Sequence, residues 1–177
     1  MTGRLLSLLV VACVCSAGAL AVSSARAGKG LVPAAHIPAI PAAGASGPRC
    51  PIPARYRRAF VDASRETRLP LALLTAVARV ESEFRAEGVS SAGARGLLQV
   101  MPSTARELKA DHPTENVLAG ARYLRLQFDR FASADLALAA YNAGPAAVIR
   151  AGGAPGGETL TYVADVSAIW RSLSGCA

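Results

Sequence analysis

The stretch Thr114-Glu115-Asn116-Val117-Leu118-Ala119-Gly120-Ala121-Arg122-Tyr123-Leu124-Arg125-Leu126-Gln127-Phe128-Asp129-Arg130-Phe131 decides the fold class. Val117, Ala121, Leu124, Phe128 and Phe131 recur at spacings of four, three, four and three. That rhythm puts all five side chains on one face of an α-helix, and Thr114 is a suitable N-cap. Such a stripe must be buried against other elements, and the flanking sequence offers helices rather than strands. No segment sustains period-two alternation for long. Helices are expected over 55–67, over 70–84 with Pro70 in the first turn, over 102–108 opened by Pro102, and over 114–131. Shorter ones follow over 134–141 and 145–150. A last helix over 158–173 faces Tyr162, Val163, Val166, Ile169, Trp170 and Leu173 inward. Gly88, Gly93 and Gly96 mark an irregular loop between the second and third helices. The expectation is one all-α domain.

The composition agrees once it is located along the chain. Of 177 residues, 52% are hydrophobic and 18% charged, with a formal net charge of +7. That excludes a typical disordered chain, which is poorer in apolar residues and richer in charge. The four Phe, four Tyr and one Trp all lie between Tyr56 and Trp170. The apolar N-terminal third is therefore not core material. Arg4 gives a positive start, Leu5 to Val22 carries no charge, and Ala25-Arg26-Ala27 puts small residues where signal peptidase reads. Residues 1–27 read as a secretory signal peptide. Two alternatives are an uncleaved membrane anchor, since about 18 apolar residues can just span a bilayer, and lipidation at Cys13 in Val10-Val11-Ala12-Cys13. Removing Arg4 and Arg26 lowers the net charge from +7 to +5. Residues 28–49 form a Pro/Ala-rich tether that favours extended chain and cannot bury a core. The folded domain is 50–177, with no internal repeat and no second domain.

Cys13 and Cys15 leave with the signal peptide, and Cys50 and Cys176 remain. An even pair in an exported chain suggests a disulfide, here joining the start of the domain to its end, with two free thiols as the alternative. No metal or other cofactor is expected: His36 sits in the tether, His112 is isolated, and there is no Cys-x-x-Cys.

One carboxylate is out of place. With Leu73 as origin and about 100° per residue, Val77, Val80 and Phe84 fall within about 40° of it and form the core stripe of the second helix. Arg79, Ser82 and Glu83 lie away from that stripe. Glu81 falls about 80° round, between Val77 and Leu74, on the apolar shoulder at the C-terminal end of the helix. Desolvation disfavours a charged carboxyl there, and the negative end of the helix dipole acts the same way. A glutamic acid that is still protonated at neutral pH is what general-acid chemistry needs.

Glu81-Ser82-Glu83-Phe84, followed by Val89-Ser90-Ser91-Ala92-Gly93-Ala94-Arg95-Gly96-Leu97-Leu98-Gln99-Val100-Met101-Pro102-Ser103-Thr104-Ala105, closely resembles the signature of soluble-type (SLT) lytic transglycosylases. Ala139-Ala140-Tyr141-Asn142-Ala143-Gly144-Pro145 resembles that family's second motif, and Glu158-Thr159 with Tyr162-Val163 its third. The resemblance covers roughly 56–172. Leu98 stands where the family commonly has methionine, and the segment from Lys109 to Asn116 is a few residues shorter than usual.

The resemblance implies a lysozyme-like, goose-type fold. It implies non-hydrolytic cleavage of peptidoglycan between N-acetylmuramic acid (MurNAc) and N-acetylglucosamine (GlcNAc), leaving 1,6-anhydro ends. It makes Glu81 the single catalytic acid and base. It assigns Ser90 to orienting Glu81, and Gln99, Met101, Tyr141, Asn142, Glu158 and Tyr162 to the substrate cleft. Blander roles stand beside these: Ser90 as a loop cap, Gln99 as a helix-surface amide, Tyr141 and Tyr162 as core, and Glu158 as a helix N-terminal charge. The implied partner is the peptidoglycan glycan strand, whose peptide carboxylates suit a basic protein, with envelope-spanning machinery as a further candidate. Nucleic acid is not expected, and the membrane only through the N-terminus. The chain is expected to be an exported monomer of the periplasm or extracellular cell envelope.

Overall fold

Proline and glycine punctuate the chain where the helices begin and end. In the computed structural model, which describes residues 48–109 and 116–177, seven helices follow one another. They are α1 (Ala54–Thr67), α2 (Leu71–Ser82), α3 (Pro102–Glu107), α4 (Asn116–Arg130), α5 (Ala134–Ala143), α6 (Pro145–Ala151) and α7 (Gly157–Ser172). The signal peptide, nearly all of the tether, and Thr114 lie outside the described residues. Pro53 and Pro70 occupy the N-cap positions of α1 and α2 with extended backbone, so Pro70 precedes the first turn rather than sitting in it. Pro102 and Pro145 open α3 and α6, where their missing N–H has no intrahelical partner to lose. Ser133 caps α5, its side chain accepting from the Leu136 N–H.

α2 stops at Ser82, two residues short of the expected end, because Glu83 (φ 50) and Phe84 (φ 62) both turn into the left-handed region. Phe84 still reaches the interior and meets Phe60 with ring centroids 5.8 Å apart. Ser82, expected away from the core, is buried, because the following loop folds back over that face of the helix.

α1 packs on α4, α2 on α7, and α5 lies against α4, α6 and α7. Ala137, Leu138, Ala139 and Ala140 of α5 are almost fully buried, and the small side chains let neighbouring helices approach closely. Ala137 and Leu138 of α5 share one core cluster with Phe60, Leu69, Leu73, Leu74 and Val77 from the first two helices and the loop joining them, Val117, Leu124 and Phe128 from α4, and Val166 from α7. Each such aliphatic or aromatic side chain contributes about 1.5–3 kcal/mol by leaving water. Among the described residues there is no β-strand, only the isolated bridges Val89–Arg95 and Arg95–Val100 within the loop after α2. Nor is any helix long and apolar enough to cross a membrane.

Cys50 and Cys176 are joined as a disulfide with Cα atoms 4.8 Å apart, across 126 positions of sequence. The backbone reinforces the join: the Ala177 N–H donates to the Pro48 carbonyl at 3.1 Å, and the Arg57 guanidinium donates to the Cys50 carbonyl at 2.6 Å.

Candidate active site

The C-terminal end of α2 carries Glu81 into a cleft of about 510 Å³. Glu81 is half-buried, and desolvation raises its pKa from 4.5 to about 7. A smaller, opposing influence comes from Tyr162, whose buried hydroxyl faces the carboxyl and favours its charged form. The pair does not reach the geometry of a formed hydrogen bond, and the Tyr162 hydroxyl has no other partner among the described residues. Burial, and then the neighbouring Glu81 charge, push the Tyr141 and Tyr162 phenols well above their ordinary range, so both stay neutral.

The loop after α2 is held to the helix end by its own polar groups. The Ser82 hydroxyl is within 2.9 Å of the Leu97 carbonyl and 3.1 Å of the Ala78 carbonyl, tying loop and helix together one residue from Glu81. Ser90 closes a tight turn: its Oγ accepts from the Ala94 N–H at 3.0 Å, and its own N–H donates to the Ala94 carbonyl at 3.0 Å. No hydrogen bond joins Ser90 to Glu81 among the described residues, although both line the cleft. Arg95 and Val100 exchange a pair of backbone bonds at 3.0 Å.

Gln99 is not on a helix. It sits in the left-handed region (φ 43), and its amide nitrogen donates to the Gly96 carbonyl at 2.9 Å and the Gly88 carbonyl at 3.1 Å. A non-glycine residue in that conformation is held there by its surroundings, here by those two bonds. Gly96 (φ 76) is required for a second reason, since a Cβ there would lie 2.7 Å from Asn116 Cγ.

The far wall comes from α4, α5 and α7. The Tyr141 hydroxyl donates inward to the Leu98 carbonyl at 2.7 Å, while the ring lines the cleft. Tyr141 thus fills both readings of the sequence, cleft aromatic and packed side chain. Asn142 Oδ1 accepts from the Thr159 hydroxyl at 2.9 Å. Glu158 is exposed in the first turn of α7, and Met101 is 40% exposed at the start of α3. Ser90, Gln99, Met101, Tyr141, Asn142 and Glu158 therefore line one cleft with Glu81. Tyr162 does not; it lies behind Glu81, 7% exposed.

Two residues that the sequence reading passed over belong to this architecture. Tyr123 lines the cleft, with its ring 5.4 Å from that of Tyr141. Gly120 sits inside α4 where a Cβ would come within 2.6 Å of Leu98 Cβ and 3.1 Å of the Tyr141 hydroxyl. A glycine inside a strongly periodic helix was the available signal, because such a glycine costs about 1 kcal/mol relative to alanine and needs a compensating contact. We expect Gly120→Ala to destabilise by about 1–3 kcal/mol through overpacking against Leu98. An unchanged urea midpoint would mean that the loop yields freely.

A family model described as the transglycosylase SLT domain matches residues 58–160, more than half of the chain. The chain belongs to the SLT-domain transglycosylase family. Its helical architecture is the lysozyme-like fold of that family. Among named relatives, a transglycosylase of Enterobacteria phage PRD1 is 39% identical over 85 residues, covering 46% of this chain and 32% of the phage protein. The membrane-bound lytic murein transglycosylase F 2 of Alkalilimnicola ehrlichii is 35% identical over 100 residues, covering 51% of this chain and 22% of its own. Among solved structures, the 70 kDa soluble lytic transglycosylase of Escherichia coli aligns with a TM-score of 0.60 at 28% identity, over 68% of this chain and 25% of that one. An inactive mutant of the lytic transglycosylase Slt of Pseudomonas aeruginosa aligns equally well, with a TM-score of 0.60 at 27% identity over 71% of this chain and 25% of that one. This SLT domain thus corresponds to between about a fifth and a third of each of these relatives' lengths.

Proposed function

We propose that this SLT domain is a peptidoglycan lytic transglycosylase, cleaving the MurNAc-β-1,4-GlcNAc bond without water, with Glu81 as the single general acid and base. One observation carries the reading: a half-buried glutamate whose pKa is raised to about 7 by desolvation faces a cleft lined by the motif residues. Most glycosidases need a second carboxylate to activate water or attack the sugar. The other acid lining this cleft, Glu158, is exposed on a different helix.

In the proposed reaction, protonated Glu81 donates its proton to the glycosidic oxygen as the bond to muramoyl C1 breaks, and the substrate's N-acetyl group supports the oxocarbenium-like state. The Glu81 carboxylate then takes the proton from the C6 hydroxyl as O6 attacks C1. The product is a 1,6-anhydromuramoyl end, and Glu81 is again protonated. Tyr141 offers a ring face to sugar C–H groups, and Asn142 and Gln99 offer amides. Mass spectrometry of digested sacculi tests the outcome: anhydro ends support the reading, whereas reducing muramic ends mean that water attacks instead. A wall-binding module without catalysis would release neither product.

The raised pKa fixes the pH dependence. The acid form starts the reaction, so kcat/KM should hold below about pH 7 and fall tenfold per pH unit above it. A profile that instead rises with pH would remove Glu81 from the acid role. Export to the periplasm or the extracellular cell envelope fits the N-terminal sequence and a wall substrate, with an uncleaved or lipidated anchor as the alternative. A basic monomer acting on wall polymer, alone or beside an envelope-spanning machine, fits the net charge of +5 that remains once residues 1–27 are removed.

A further inference from the structure

A second depression of about 720 Å³ lies at the end of α2, beside residues that are not in the catalytic cleft. Its walls are Pro51, Pro53, Phe84 and Ile169, with Arg79 and Glu83 at its edges. Arg79 and Glu83 flank Glu81 in sequence, two positions to either side. Arg79 is two positions back on the helix, about 160° round from Glu81, so the two side chains leave α2 in nearly opposite directions.

The groove has a deliberate construction. Glu83 and Phe84 are consecutive non-glycine residues in left-handed backbone (φ 50 and 62), an arrangement that costs free energy and places the Phe84 ring at the groove wall. Pro51 and Pro53, directly after the disulfide-bonded Cys50, give the opposite wall little conformational freedom. The two charges at the edges are not equivalent. Glu83 is already bound by the Arg85 guanidinium at 2.8 Å. Arg79 is exposed and takes part in none of the ion pairs among the described residues. An exposed guanidinium with no ion-pair partner among the described residues, beside an aromatic and proline-lined groove, is suited to a short, apolar chain that ends in a carboxylate.

We propose that this groove is an exosite for the carboxylate-terminated stem peptide of peptidoglycan. Arg79 holds the terminal carboxylate, and the Pro51, Pro53, Phe84 and Ile169 surface takes the small apolar side chains. The proposal rests on the reading that the chain acts on the cell wall, but it does not depend on the chemistry at Glu81. Engagement there would keep the enzyme on a peptide-bearing strand while the cleft works on the glycan.

The test uses Arg79→Ala and Arg79→Lys in the full chain; the side chain is exposed, so neither change disturbs the core. The first measurement is titration of a synthetic D-Ala-D-Ala-terminated stem pentapeptide, followed by NMR shifts in the Glu81→Gln background, which needs no turnover. Shifts confined to the groove, binding about tenfold weaker in Arg79→Ala, and partial recovery in Arg79→Lys are expected. Shifts in the catalytic cleft alone, or equal binding by all variants, would overturn the proposal. The second measurement compares cleavage of intact sacculi with cleavage of glycan stripped of peptide by an amidase. Arg79→Ala should raise KM severalfold on the first and leave kcat and KM unchanged on the second. Equal effects on both substrates would also overturn it. If wild type cleaves neither substrate, the catalytic reading fails, and the peptide titration still decides the exosite.

Discussion

Glu81→Gln is expected to lower the rate of glycan cleavage on the order of a thousandfold, the range associated with losing a positioned acid–base group. The amide keeps the shape of the side chain and cannot give up or recover the proton. The same substitution should make the protein more stable near neutral pH. Burial raises the Glu81 pKa from 4.5 to about 7, so the folded state binds the proton more tightly than the unfolded one. Below about pH 4.5 both states are protonated and the group has no effect. As pH rises through about 7 the unfolded chain is already ionised while folding still opposes ionisation, so stability is lost across that window. The loss is on the order of 3 kcal/mol at most, and glutamine does not incur it. Urea midpoints for wild type and Glu81→Gln should coincide near pH 4 and separate by pH 8. Parallel curves at all pH values would mean that Glu81 ionises freely, and slow cleavage by the wild type with no further loss in Glu81→Gln would remove the residue from the mechanism.

The second large effect concerns the Cys50–Cys176 bond. In the chain-entropy picture, closing a loop of this size stabilises by about 4–5 kcal/mol, more than any single core side chain discussed above. Replacing both cysteines by serine should lower the free energy of unfolding, read from urea titration, by that amount, and reduction of the wild type should do the same. Both sulfurs are buried, so the serine hydroxyls add a desolvation penalty of their own. A loss below about 1 kcal/mol, or titration of two free thiols in the purified protein, would show that the bridge does not form in solution.

How far the sequence could be read depended on the kind of interaction. The helices were legible because their apolar residues repeat with the period of a helix, as Val117 through Phe128 do in α4. Glu81 was legible because a single acid on an apolar shoulder breaks that pattern. The end of α2 was not, because two left-handed residues, Glu83 and Phe84, carry none of the glycine that normally announces such a turn. Ser82 was misplaced for a related reason: a helical wheel knows nothing of a loop that returns to cover the polar face. The resemblance brought Gln99 and Tyr141 to the site, but their hydrogen bonds to Gly88, Gly96 and Leu98 depend on where the backbone goes. Gly120 shows the same limit, because the need for a bare α-carbon there arises only where Leu98 and Tyr141 meet it.

The bridge between Cys50 and Cys176 has a topological consequence beyond its free energy. From residue 50 to residue 176 the molecule is a closed covalent ring. A protease that cuts once at an exposed loop, such as the one carrying Ser91 and Ala92, opens the ring without dividing it. The nicked protein would migrate as one species until it is reduced, when two fragments separate. A single cut is then an event the fold can survive.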